Sequence, residues 1–320
     1  MPPRGGVDLG GTKIQTIVVD GRDDVLGQAR LPTPTKGGPE AVADAIAEAV
    51  GEAAAQAGLE TDSLAGVGVG SPGAIDSELG TVSQARNLPH WQGTYPLAPE
   101  LEQRLGTTVK LGNDVSVATA AEFRMGAGKE FDSILGVFWG TGVGGGIILN
   151  GEEWIGRGSA GEIGHVVVEA GGRQCPCGRK GCMEAYAGRA AMEARARKLQ
   201  KEGEKTVLFQ IMEDRKRDRL TAGIWARALD QNDKLAKQLV SRAIDALGVG
   251  IASSVNLLDV EAVIIGGGLG TRLGDSYVER IAEAMQPHLF VDDRPPKIRL
   301  AALGDLGGAR GAALLVRKSR

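Results

Sequence analysis

The sequence predicts a two-lobed α/β protein built on a duplicated mixed-sheet core. Two observations carry that reading. Each half of the chain opens with a β-hairpin whose turn is glycine-rich, and each half later runs from a helix through a buried strand into a loop.

The first hairpin joins Gly6–Leu9 to Ile14–Asp20 through Gly10, Gly11 and Thr12, with β-branched residues filling the return strand. Val25–Leu31 reads as a third strand, stopped by Pro32 and Pro34. Residues 39–57 are alanine-rich and space Val42, Ile46 and Val50 for one face of an amphipathic helix. Leu64–Gly70 reads as a buried strand, followed by a long Gly/Pro/Asn loop to residue 94. A helix over 97–105, a strand over 107–111 and a helix over 115–126 come next, with Asn113 and Asp114 between the last two. The second hairpin is Ser133–Trp139, the turn Gly140–Gly145 and Gly146–Leu149. A charged stretch of helical propensity over 190–233 elaborates the second lobe. A long helix over 234–258, the strand Ala262–Ile265 and the loop Gly266-Gly267-Gly268 follow. The tail, Gly304–Leu315, reads as a loop and a helix whose small residues suit close packing. The expected lobes are residues 1–113 with 305–320, and residues 114–304, the larger one holding a metal site.

With 320 residues, 42% of them hydrophobic, the chain has material for a sizeable core. A net charge of −3 leaves no basic excess to attract nucleic acid. The basic clusters Arg195–Lys205 and Arg215–Arg219 are interspersed with acids and read as solvated helix faces. No apolar run of about 18 residues exists, so no membrane span is expected. The N-terminus lacks the blocks of a secretory signal, and the expected compartment is the cytoplasm. Glycine stands out, with 49 residues gathered in a few loops directly after apolar runs. That placement predicts positive-φ backbone and close approach to a ligand.

Four motifs carry chemistry. In Asp8-Leu9-Gly10-Gly11-Thr12-Lys13, a turn without side chains lets backbone N–H groups and the Thr12 hydroxyl face a phosphate, while Asp8 holds a metal's water shell. Taken alone, the hexapeptide is equally an ordinary hairpin. The second hairpin, with Gly140, Thr141 and Gly142, repeats the pattern, and Gly267 and Gly268 end a buried strand as the floor for a nucleoside. Two such hairpins facing one another would clamp a polyphosphate, which points to ATP. The first hairpin is not a P-loop, because G-x-x-x-x-G-K-[ST] is absent, and it matches a dinucleotide fingerprint poorly, because its glycines join two strands. Cys175, Cys177 and Cys182 with His165 make a closed Cys3His set, the arrangement of structural zinc. Asn87, Asn113, Asp114, Glu162 and Glu184 are the side chains suited to a polyol, whose hydroxyls both donate and accept. Glu162 and Glu184 flank metal ligands, so the metal would hold their loops. Asp114 alone is equally a helix cap.

These motifs resemble the ROK family of sugar kinases and repressors, within the actin-like ATPase superfamily of ribonuclease H-like fold. The resemblance rests on residues 8–13, 67–76, 87–91, 112–115, 140–148, 158–165 and 175–184, and it extends over essentially the whole chain. It implies a cleft for ATP with Mg²⁺ and for a hexose, with glucose favoured, and it makes Asp114 the catalytic base. It places Gly73, Asn87, Asn113, Glu162, His165 and Glu184 against the sugar, His165 serving both sugar and zinc. N-acetylglucosamine or N-acetylmannosamine kinases and a non-catalytic sugar sensor are the alternatives within the family. A repressor would need a DNA-binding helix-turn-helix, and only seven residues precede Asp8. The resemblance also implies a homodimer, with a tetramer as the alternative.

Overall fold

In the computed structural model, strand β1 (Arg4–Leu9) turns back into β2 (Lys13–Val19), with Leu9 opposite Ile14. The structure describes residues 2–85, 88 and 90–317. The chain forms two units, one of Met1–Lys129, Glu153–Ala160 and Ala302–Arg320, the other of Glu130–Glu152 and Gly161–Ala301.

In the first unit, β3 (Val25–Pro32) extends the hairpin, and β4 (Val67–Ser71) pairs parallel with β1. Strands β5 (Ala74–Asp76), β6 (Thr81–Ser83) and β7 (Thr94–Tyr95) form a small separate sheet inside the stretch read as a loop. Strands of two or three residues are too short to show period-two alternation, so local pattern does not reveal them. Trp91 lies on this sheet, its indole N–H donating to the Val82 carbonyl at 3.2 Å and its ring meeting Tyr95 edge-on. β8 (Val109–Asn113) completes the main sheet in the order β3-β2-β1-β4-β8. The helix Gly38–Gln56 buries Val42, Ile46 and Val50 in one core cluster with Val7, Leu9, Val67 and Val69.

The sequence-based lobe bounds are 113/114 and 304/305, whereas the units divide at 129/130, 152/153, 160/161 and 301/302. The helix Asp114–Met125 stays with the first unit because the C-terminal helix Gly307–Leu314 packs on it almost backbone to backbone. A Cβ at Gly311 would stand 1.8 Å from the Val117 carbonyl oxygen, so only glycine permits the approach.

The second unit repeats the plan. β9 (Ile134–Trp139) and β10 (Val143–Leu149) form the hairpin, with Trp139 opposite Val143. With β11 (Glu152–Glu153), β12 (Ala262–Gly266) and β13 (Lys297–Leu300) the order is β11-β10-β9-β12-β13. β12 runs parallel to both neighbours, as β4 does in the first sheet. The duplicated mixed-sheet core is therefore present. The long helix Lys234–Leu258 matches its expected bounds, and the charged stretch folds into Arg189–Lys201, Leu208–Asp214 and Ala222–Asp230.

Candidate active site

Asp8 pairs with Gly70 across β1 and β4, and Gly70 pairs with Gly112 across β4 and β8. Strands lie about 4.8 Å apart, so Asp8 and the Asn113–Asp114 pair stand at one carboxyl-terminal sheet edge, about 10 Å across. That edge is where open α/β sheets place their ligands. Burial is the main cause lifting the Asp8 carboxyl above its ordinary 3.8; Lys13 opposes the shift and Asp305 adds to it. The Lys13 ammonium lies 3.5 Å from Asp305, which the sequence reading did not single out. Thr33, also unforeseen, pins the turn by donating its hydroxyl to the Gly10 carbonyl at 2.6 Å.

Asn113 is the N-cap of the helix Asp114–Met125. Its Oδ1 accepts from the Val115 N–H at 3.0 Å and the Ser116 N–H at 3.2 Å. Asp114 begins the helix, and its Oδ1 also accepts from Val115 at 3.0 Å. Capping thus falls chiefly to Asn113, whose Nδ2 is the group suited to a sugar oxygen. Gly73 takes φ 100° in the turn after β4, where a Cβ would come within 2.5 Å of the Ser83 carbonyl. Asn87 lies outside the described residues.

In the second unit the hairpin tip Gly140–Gly142 is held from several directions. The Glu184 carboxylate accepts the Val143 N–H at 2.9 Å, and a Cβ at Gly142 would clash with Glu184 Oε2 at 2.2 Å. The Trp139 indole N–H donates to the Ala187 carbonyl at 2.6 Å. A Cβ at Gly164 would fall 2.0 Å from the Val143 carbonyl, so the Glu162–His165 turn rests directly on the hairpin. The expected loop after β12 is the first turn of a helix, Gly267–Leu273, and it joins them: a Cβ at Gly140 would be 3.9 Å from the Gly268 nitrogen, and one at Gly267 would be 2.6 Å from the Trp139 carbonyl. The two phosphate and nucleoside loops expected of this half are thus in contact. At Gly142, Gly164 and Gly267 glycine serves for space, whereas a Cβ at Gly268 would meet nothing within 4 Å. Gly10, Gly140 and Gly142 do not take positive φ, contrary to the expectation from their placement, because a hairpin tip can turn with ordinary torsions; Gly268 does not either, because it lies in the helix Gly267–Leu273, whereas Gly267 does, at 80°.

The ligating atoms of His165, Cys175, Cys177 and Cys182 all lie within 4.8 Å of one another. Cys177 and Cys182 sulfurs are 3.7 Å apart, too far for a disulfide and close to the roughly 3.8 Å edge of a zinc–thiolate tetrahedron. The donor set therefore fits a four-coordinate metal. Gly181, at φ 81°, makes the tight return that brings Cys182 back to the others. Hydrogen bonding to the Arg179 backbone holds the Cys177 thiol down at about 6, and burial pushes Cys175 up to about 12. The histidine divides its two nitrogens: Nδ1 lies 3.8 Å from Cys175 sulfur, and Nε2 lies 3.9 Å from the Glu162 carboxylate.

The model of the ROK family matches residues 4–319. Glucokinase of Thermotoga maritima is 33% identical over 317 residues, covering 98% of this chain and 96% of that protein. N-acetyl-D-glucosamine kinase of Escherichia coli O1:K1 is 32% identical over 322 residues, covering 97% and 98%. The crystal structure of a ROK family glucokinase from Streptomyces griseus in complex with glucose and AMPPNP matches with a TM-score of 0.82 at 32% identity, covering 98% of each chain. The fold is the actin-like ATPase fold expected from the motifs. With the duplicated sheets, the glycine hairpins and the Cys/His cluster all in place, the chain belongs to the ROK family.

Proposed function

We propose that this protein is a hexose kinase that transfers the γ-phosphoryl group of ATP to the 6-hydroxyl of glucose. The observation that carries the reading is the shared sheet edge of Asp8 and Asp114, with Asn113 supplying the helix cap. A base and a metal-shell carboxylate about 10 Å apart suit a sugar hydroxyl on one side and a triphosphate on the other.

In this mechanism Asp114 accepts the hydroxyl proton as the phosphoryl group moves, and Asn113, Glu162, His165 and Glu184 hold the remaining sugar hydroxyls. Gly73 and Asn87 complete the sugar set. Gly10, Gly11, Thr12, Lys13, Gly140, Thr141 and Gly142 receive the phosphates, with Gly267 and Gly268 under the nucleoside. Mg²⁺ bound with ATP would neutralise charge developing on the β- and γ-phosphates, and Asp8 is the residue that would hold its water shell. Zinc in the Cys3His set would brace the loops of Glu162 and Glu184; a closed shell has no position for an activated water. Positioning supplies most of the rate, so the residues that orient the acceptor hydroxyl matter as much as the base.

A second reading, kinase activity on an N-acetylhexosamine, is favoured by the similarity to the Escherichia coli enzyme. A non-catalytic sugar sensor is the third. We expect a homodimer in the cytoplasm; among the described residues no helix is long and apolar enough to cross a membrane. An ADP-release assay across hexoses and N-acetylhexosamines, with ATP and polyphosphate as alternative donors, tests the proposal. Turnover is expected on glucose with ATP. Preference for an N-acetylated sugar selects the second reading, and no turnover on any sugar selects the third.

A further inference from the structure

Arg189 opens the helix Arg189–Lys201 directly behind the second hairpin. Its backbone N–H donates to the Gly140 carbonyl at 3.1 Å, and the next residue, Ala190, donates to the Thr141 carbonyl at 3.0 Å. The guanidinium then reaches around the turn. Nη2 donates to the Thr141 hydroxyl oxygen at 2.7 Å, and Nη1 donates to the Leu220 carbonyl at 2.7 Å. Both ends of the fork are thus committed. Glu193, the nearby acid, is engaged elsewhere by Arg197 at 2.7 Å and by the Leu220 N–H at 2.9 Å.

Hydrogen-bond direction gives this contact its meaning. A guanidinium carries donors only, so the Thr141 oxygen must be the acceptor. A hydroxyl has one proton and two lone pairs, and with the guanidinium on a lone pair the proton has to point to some other acceptor. An ionised phosphate oxygen carries no proton, so it accepts and does not donate. A charged donor on the same oxygen also polarises the hydroxyl and strengthens the bond it gives.

We infer that Arg189 is a positioning residue that locks the Thr141 hydroxyl as a hydrogen-bond donor to a phosphate oxygen of the nucleotide. The inference rests on the reading of Gly140–Gly142 as a phosphate hairpin. Arg189 acts through Thr141 and needs no contact of its own with substrate. Because Leu220 closes the other end of the fork, the segment between Asp214 and Ala222 becomes a support of the nucleotide site.

The test is a double-mutant cycle on the full-length protein, using Thr141→Val, Arg189→Met and the combination. KM for MgATP, KM for the sugar and kcat are measured for each, with adenosine binding as a phosphate-free control. Thr141→Val and Arg189→Met are each expected to raise KM for MgATP about tenfold. Sugar KM and adenosine affinity should stay within about twofold of the parent. In the Thr141→Val background, Arg189→Met should add nothing further. Additive effects of the two changes, or an equal loss in adenosine binding, overturn the inference and leave the hairpin reading standing. No effect of Thr141→Val on KM for MgATP overturns both. If Arg189→Met does not fold, Arg189→Lys serves in its place. Its single ammonium cannot span both partners, and the same comparison of single and combined losses decides the outcome.

Discussion

Glu184, two residues after Cys182 of the Cys/His cluster, accepts a hydrogen bond from the backbone N–H of Val143 at 2.9 Å. One carboxylate therefore links the Cys/His loop to the second glycine hairpin. Glu184→Ala strips the acceptor from Val143 and is expected to raise KM for both ATP and sugar, at a cost of about 1–3 kcal/mol in kcat/KM. Glu184→Gln keeps an oxygen for Val143, so its KM for ATP should stay close to the parent while sugar KM rises. Steady-state kinetics with each substrate varied in turn checks this split.

Asp114 supplies the base in the proposed reaction. Asp114→Asn preserves size and the acceptor toward Val115, so sugar binding by calorimetry should be unchanged. Turnover should fall on the order of 10²–10⁴-fold. Substantial residual kinase activity would remove Asp114 from this role.

Asp8 is held above its ordinary 3.8 chiefly by burial, so the folded protein binds this proton more tightly than the unfolded chain does. Ionising the buried group therefore costs stability. The loss begins as pH rises through 3.8 and is complete above the folded value. Asp8→Asn should raise the melting temperature at neutral pH while nearly abolishing MgATP turnover. The stability difference should shrink as pH falls toward 3.8 and below. Melting curves of the two proteins across pH test the sign, and a less stable variant at neutral pH would contradict it.

Metal analysis should find about one zinc per chain. Removing it with a chelator should weaken sugar binding more than ATP binding, because His165 and Glu162 share a turn with the metal site and the hairpin has separate supports. Metal-free protein with parental sugar affinity would count against the Cys3His assignment.

Glu122 is buried, and its carboxylate accepts from the Ala127, Ala302 and Leu303 N–H groups at 2.9, 3.0 and 2.9 Å. It ties the end of the helix Asp114–Met125 to the chain entering the C-terminal helix. Glu122→Ala leaves these donors short of a partner and should cost about 3 kcal/mol in denaturant unfolding, with Glu122→Gln intermediate. Nothing in the sequence marks Glu122, since its partners lie 5 to 181 residues away.

The glycine hairpins, the Cys3His spacing and the amphipathic helices Gly38–Gln56 and Lys234–Leu258 were legible because each depends on residues close along the chain. The sheet of Ala74–Asp76, Thr81–Ser83 and Thr94–Tyr95 was not, because its strands are too short to carry a period and gain their stability from packing such as that of Trp91. Asp305 beside Lys13 was equally invisible: 292 residues separate them, and only the packing of the C-terminal segment on the first sheet brings them together.

By itself the sequence determined which residue types were available at each turn, that two similar halves recur, and that three thiolates and an imidazole could meet around a metal. Tertiary structure alone decided how those residues divide their work. Parallel register across β1, β4 and β8 set Asp8 and Asp114 on one edge. Close packing around the second hairpin turned Glu184 toward Val143 and Arg189 toward Thr141. Hydrogen bonds of this kind are short and directional, so they depend on where distant segments come to rest, and spacing along the chain does not encode that.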